Sequence, residues 1–291
     1  KVCFNSIQYN IRDLESKIYV PERNRLIVDT WLQYVRDKRT VVFCASVKHA
    51  EQIAELFRAE GIKAGLYFSI IDWHHPDYPK YGDLYHPMRN NEAFKDESID
   101  FDRYLDFMHN QVRELVTNYG QLDILWFDFA YGDMTGEKWR ATELIKMVRQ
   151  YQPNVIIDNR LEGNGDKHGS ILTAEPSIFS GDFVSPEQLL PPTGVLDEAG
   201  NQVPWELCAT MNNHWGYCNF DYDYKPASMI IRKLVECVSK GGNMILNVGP
   251  DGDGRIPAES MRILEQMGSR YADATCPYVT LIHNMATEAA A

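Results

Sequence analysis

Residues 122–128, LDILWFD, form a near-continuous apolar run closed by a carboxylate. A strand with one wet face alternates apolar and polar side chains. This run does not, so it is expected to be buried on both faces, as parallel strands are. On its N-terminal side, Phe101, Tyr104, Leu105, Met108, Val112, Leu115 and Val116 recur at helical spacing. Further back, TVVFCAS (40–46) reads as a buried strand, VKHAEQIAELFRAEG (47–61) as an amphipathic helix stopped at Gly61, and GIKAGLYFS (61–69) as the next strand. On the C-terminal side the alternation continues: helix 137–151, strand 154–158, a Gly-rich loop around 163–169, a short strand near 207–211, helix 226–240, strand 243–248 and helix 257–271. Strand and helix in turn mark an α/β fold, either an α/β barrel or an open doubly wound sheet with right-handed crossovers.

Composition narrows the function. The 291 residues carry a formal net charge of −12 and are 44% hydrophobic, as ordinary globular chains are. Residues 1–60 hold ten basic and eight acidic side chains, whereas the remainder holds 19 and 33. Such a surface repels phosphate backbones, so nucleic acid is not an expected partner, while a neutral ligand such as a sugar meets no penalty. No run approaches the ~18 apolar residues of a membrane helix, and no export signal is recognised, so a soluble, cytoplasmic chain away from membranes is expected. The six cysteines lack finger-like spacing and are expected to be buried free thiols.

Neither a phosphate-cradling G-x-x-x-x-G-K-[ST] nor a dinucleotide G-x-G-x-x-G is present, and the absence of G-x-S-x-G disfavours a serine hydrolase. GPDGDGR (249–255) fails as a calcium loop because Ser260 falls where Glu is required. His74 and His75 are neighbours whose side chains would diverge on a strand, so no metal or other cofactor is expected. Two carboxylates remain. Asp128 ends the apolar strand among Trp126, Phe127 and Phe129, and Glu187 follows Pro186 in the loop-like GDFVSPEQLLP (181–191). Either could instead cap a helix. Trp73, His74, His75, Trp126, Arg160, Trp205, Trp215 and Tyr217 all fall at predicted strand ends or loops. Rings that stack on a pyranose, together with two acids, are the ingredients of a carbohydrate site.

The segments GLYFSIIDWHHPDYP (65–79), LDILWFDF (122–129), IIDNR (156–160), SGDFVSPEQ (180–188), VPWELCATMNNHWGY (203–217) and LVECVSKGGNMILNVGPDGDGRIP (234–257) together resemble glycoside hydrolase family 29, the retaining α-L-fucosidases. The resemblance spans most of residues 61–271 and implies a (β/α)8 TIM-like barrel acting on a fucosylated glycan or glycoside. It implies Asp128 as nucleophile and Glu187 as acid/base, with Glu175 the competing candidate, and sugar contacts from Tyr67, Trp126, Arg160 and Trp215; Trp73, His74 and His75 are kept as substrate-binding candidates from their place at a strand end. The family's usual segment upstream of the GLYFS stretch is replaced. Residues 22–64 resemble the C-terminal RecA-like lobe of superfamily 2 helicases, so residues 1–60 are read as a helicase-like piece supplying a strand and helix. Residues 272–291 are read as a tail, with the family's C-terminal β-sandwich absent. A patched or incomplete barrel of this kind would expose strand edges, and a homo-oligomer is expected. A catalytically weak or silent chimera that keeps the fold and binds sugar is the alternative.

Overall fold

The computed structural model describes residues 21–34, 40–42, 47–164, 167–252, 255–271 and 279–283. In chain order the regular elements are α1 (Pro21–Tyr34), β1 (Thr40–Val42), α2 (Val47–Ala59), β2 (Gly65–Ser69), α3 (Phe101–Asn118), β3 (Ile124–Asp128), α4 (Ala141–Tyr151), β4 (Ile156–Ile157), β5 (Glu206–Thr210), α5 (Ala227–Ser239), β6 (Asn243–Val248), α6 (Ala258–Tyr271) and β7 (Val279–His283). The expected alternation is present, and most boundaries fall within a few residues of the sequence reading.

All pairings between these strands are parallel. One sheet runs β2-β3-β4 and the other β1-β7-β6-β5. Between them lies the segment 183–187, joined to the end of β4 by Asp158↔Phe183 and to β5 by Val184↔Trp205 and Glu187↔Cys208. The pairings therefore follow one arc, β2-β3-β4-(183–187)-β5-β6-β7-β1. Residues 279–283 were read as part of a tail, yet they form β7 between β6 and β1. The β-branched VTLIH favours a strand there. Residues 1–20 of the piece read as helicase-like lie outside the described residues.

Two cores flank this arc. The first gathers Leu125, Phe127 and Ile157 from the strands with Tyr104, Met108 and Val112 from α3 and Leu144 and Val148 from α4. The second packs Leu207, Ala209, Met244 and Leu246 against Ile230 and Leu234 of α5 and Ile263 and Met267 of α6. Trp205, read beforehand with the sugar-facing aromatics, is 2% exposed in this second core. Helix α3 begins at an Asp100 cap whose side chain accepts the Arg103 N–H at 3.2 Å, and Arg58 of α2 donates to the Tyr119 and Gln121 carbonyls just past its end. Capping at both ends satisfies groups that a helix otherwise leaves open.

Candidate active site

Strand periodicity decides what faces the cleft. In β3, Leu125 and Phe127 are fully buried, while Ile124, Trp126 and Asp128 are only partly buried and so lie on the opposite face. The β2–β3 register sets Tyr67 opposite Trp126 and Ser69 opposite Asp128, which places Tyr67 on the Asp128 face. The Tyr67 and Trp126 rings stack at 5.7 Å and 20°, and the Tyr67 hydroxyl donates to Asp128 Oδ2 at 2.7 Å. The ring leaves 39% of its surface exposed, with its hydroxyl end crowded among polar groups. Desolvation there, reinforced by the Asp128 charge, pushes the phenol well above its usual range, so it stays a donor.

Arg160, two residues beyond Asp158, is 4% exposed. Its Nη1 lies 3.4 Å from Asp128 Oδ1 and 3.1 Å from Glu187 Oε2, its Nη2 donates to Cys208 Sγ at 3.4 Å, and its Cζ sits 4.9 Å from the Trp126 ring centroid. Burial works against the guanidinium charge, but Cys208, Asp128, Glu187 and Asp158 around it prevail and hold its pKa above the ordinary value. Burial likewise pushes the Cys208 thiol up to about 12, against the pull of Arg160, so it is neutral at physiological pH. Because both carboxylate oxygens touch one nitrogen, they are no more than about 6.5 Å apart, the sum of 3.4 and 3.1 Å.

The residue after each carboxylate has a left-handed backbone: Phe129 at φ 78° and Gln188 at φ 57°. Non-glycine residues seldom adopt it, and such strain clusters at functional sites. The Phe129 backbone N–H donates back to Asp128 Oδ1 at 2.9 Å. Beneath the pair, Asp158 is fully buried and accepts the Phe127 N–H at 3.0 Å, tying the ends of β3 and β4 together. Burial drives its carboxyl well above the usual range, in spite of that hydrogen bond and of Arg160.

Tyr67, Trp126, Asp128, Arg160 and Glu187 are thus one contact network. Glu175, the competing acid, is exposed in the segment after residue 172. Trp73, His74 and His75 lie beyond β2 and are engaged locally. His75 Nδ1 takes the Asp77 N–H at 3.1 Å and its ring packs on Tyr104 and Phe107, while Trp73 packs on His86. His74 is exposed, and its N–H donates to Asp72. Trp215 is half-buried on the loop after β5, its carbonyl held by Asn247 Nδ2 at 2.7 Å. Sequence reasoning missed Asp158 and Cys208, although Asp158 carried the same signal as Asp128, a carboxylate closing an apolar strand. Among the described residues no group of three or more His, Cys, Asp or Glu side chains is arranged to hold a metal, and no helix is long and apolar enough to cross a membrane.

Parallel strands with helices between them make this an α/β protein, and at the C-terminal ends of those strands two carboxylates share a cation beside stacked rings. The alpha-L-fucosidase family model matches residues 45–272, and the chain belongs to that family. The match begins inside the stretch expected from sequence to be helicase-like, so α2 falls within the fucosidase match. Plasma alpha-L-fucosidase of Rattus norvegicus is 30% identical over 212 residues, covering 70% of this chain and 39% of its own length. The Homo sapiens plasma enzyme is 29% identical over 218 residues, covering 72% and 39%. Among solved structures, alpha-L-fucosidase isoenzyme 1 from Paenibacillus thiaminolyticus is similar with a TM-score of 0.70 and 59% identity, over 77% of this chain and 52% of that one. AlfC from Lactobacillus casei, in complex with alpha-L-fucose product, gives 0.59 and 26%, over 77% and 65%. This chain spans about two fifths of the length of the curated relatives and about half of the Paenibacillus chain.

Proposed function

We propose that this chain hydrolyses terminal α-L-fucosides with retention, Asp128 acting as nucleophile and Glu187 as acid/base. The observation that carries the reading is the shared Arg160 nitrogen, which holds one oxygen of each carboxylate within about 6.5 Å of the other. Retaining enzymes need ~5–5.5 Å between their carboxyl groups, whereas inverting ones need roughly 6.5–9.5 Å to seat a water. In the first step Asp128 bonds to the anomeric carbon as the glycosidic bond breaks, and the Glu187 proton passes to the departing oxygen. In the second, water replaces Asp128 on that carbon while its proton returns to Glu187. Tyr67 and the Phe129 N–H hold the nucleophile, and the Tyr67–Trp126 stack offers an aromatic wall.

The test is hydrolysis of an aryl α-L-fucoside by the wild type and by Asp128→Ala. Loss of turnover in the variant, with azide restoring release of the aryl alcohol and giving inverted fucosyl azide, is expected. Turnover untouched by the substitution would remove Asp128 from the reaction. The arc of parallel strands is read as the family's barrel. The proposal includes a homo-oligomer, since β2 and β1 end that arc and their outer edges carry no strand pairing among the described residues. A monomer in sedimentation would contradict that part.

A further inference from the structure

The turn that carries Glu187 is held from outside the site. Gln188, in its left-handed conformation, donates its N–H to the Cys208 carbonyl at 2.8 Å, and its side-chain amide pairs with Thr210, Nε2 donating to Oγ1 at 3.1 Å and Oε1 accepting the Thr210 N–H at 3.3 Å. Its own carbonyl accepts from Lys233 Nζ at 2.6 Å. Lys233 lies on α5, packed outside the sheet, and Thr210 is 1% exposed at the end of β5. Side-chain-bearing residues adopt this backbone rarely, and it persists only where surrounding bonds over-determine it. Here those bonds come from three residues: Cys208 through its backbone carbonyl, Thr210 and Lys233.

We infer that Lys233 and Gln188 are positioning residues that aim the Glu187 carboxyl at the glycosidic oxygen, the ammonium by clamping the Gln188 carbonyl and the amide by clamping Thr210. The inference rests on Glu187 being the acid/base. Their effect falls chiefly on proton delivery, because Asp128 keeps its bonds to Tyr67 and Phe129 whatever becomes of the Arg160 nitrogen it shares with Glu187. A leaving group that departs readily as an anion needs no proton, whereas a poor one does.

The experiment compares kcat/KM for phenyl and 2,4-dinitrophenyl α-L-fucoside in the wild type, Lys233→Met and Lys233→Arg. A misplaced acid forfeits its share of the rate, so Lys233→Met is expected to lose about 100-fold on the phenyl substrate. On the dinitrophenyl substrate it stays within about threefold, and Lys233→Arg recovers most of the loss. Equal losses on both substrates, or none on either, overturn the inference. If Lys233→Met does not fold, Gln188→Gly, which keeps the backbone accessible and deletes the Thr210 pair, should show the same selectivity, and a uniform loss overturns the inference. A wild type that turns over neither substrate refutes the fucosidase reading instead. The clamp is then judged by a crystal structure of Lys233→Met. Departure of Glu187 Oε2 from its 3.1 Å contact with Arg160 supports it, and an unchanged contact with Gln188 still left-handed refutes it.

Discussion

Replacing Tyr67 by Phe removes one oxygen and tests how Asp128, the proposed nucleophile, is held. Asp128 takes the Tyr67 hydroxyl at 2.7 Å, the Phe129 N–H at 2.9 Å and Arg160 Nη1 at a looser 3.4 Å, so the deleted bond is the shortest of the three. A hydrogen bond to a charged group is worth about 1.5–3 kcal/mol. At 1.36 kcal/mol per decade, the loss corresponds to about 10- to 150-fold in rate if it is felt only at the transition state. The affected step is the second one. In the proposed mechanism Asp128 must leave the anomeric carbon as a carboxylate, and a donor on Oδ2 stabilises the charge it regains. The glycosyl-enzyme should therefore accumulate. Steady-state hydrolysis of 4-nitrophenyl α-L-fucoside is expected to show kcat reduced by that factor and KM reduced with it, and rapid mixing should show a burst of nitrophenol. The phenol ring and its stack on Trp126 remain, so the melting temperature should barely move. A kcat within about threefold of wild type, or a raised KM at unchanged kcat, would refute the assignment of this hydroxyl to the nucleophile.

Two further outcomes follow from the strands beneath the site. Gly181 has φ 84°, and a Cβ there would lie 2.3 Å from the Asp158 carbonyl oxygen. Gly181→Ala should therefore destabilise the chain in urea by about 2 kcal/mol or more, backbone strain and overpacking each costing on the order of 1–3 kcal/mol, and should lower kcat by displacing Arg160; unfolding at the wild-type midpoint would contradict the close approach. Asp158 has its pKa raised in the folded state, first by burial, so the fold holds a proton that the unfolded chain has already released. Its contribution to stability is complete below about pH 4, the unfolded Asp value, and is lost as pH rises through the folded pKa. Asp158→Asn keeps an oxygen for the Phe127 N–H and should flatten the fall of melting temperature between pH 4.5 and 8. Parallel curves for the two proteins would mean that Asp158 is ionised throughout.

Most of the sheet was legible because parallel strands are buried on both faces and announce themselves as apolar runs. LDILWFD, NVIID and NMILNV all became strands, and helical spacing located α3, α4 and α5. The segment 183–187 was not legible as part of the sheet. Pro186 interrupts it, and it pairs by single bridges to β4 and β5 rather than by a ladder, so no run of alternating or apolar residues marks it. The residues of the loop after β2 read ambiguously for a related reason. Aromatic and histidine side chains suit both sugar stacking and core packing, and only contacts separate the two uses. His75 spends its Nδ1 on a backbone N–H and its ring on Phe107.

Arg160 shows where residue-by-residue inference stops. Read from the sequence, it was a contact for the sugar. In the fold, Nη1 is shared by two carboxylates, Nη2 is committed to Cys208 and the flat face rests on Trp126. Each use needs a different part of a rigid planar fork, and a lysine ammonium could reproduce only the charge. The carboxylates are far apart in sequence, so nothing local could have revealed that one buried cation serves both. It also bears on Glu187 against Glu175. Both sit in loops beside a proline and look alike as sequence, but only Glu187 reaches the cation that already holds Asp128, and a shared cation lets two acids approach closely where unscreened charges would repel.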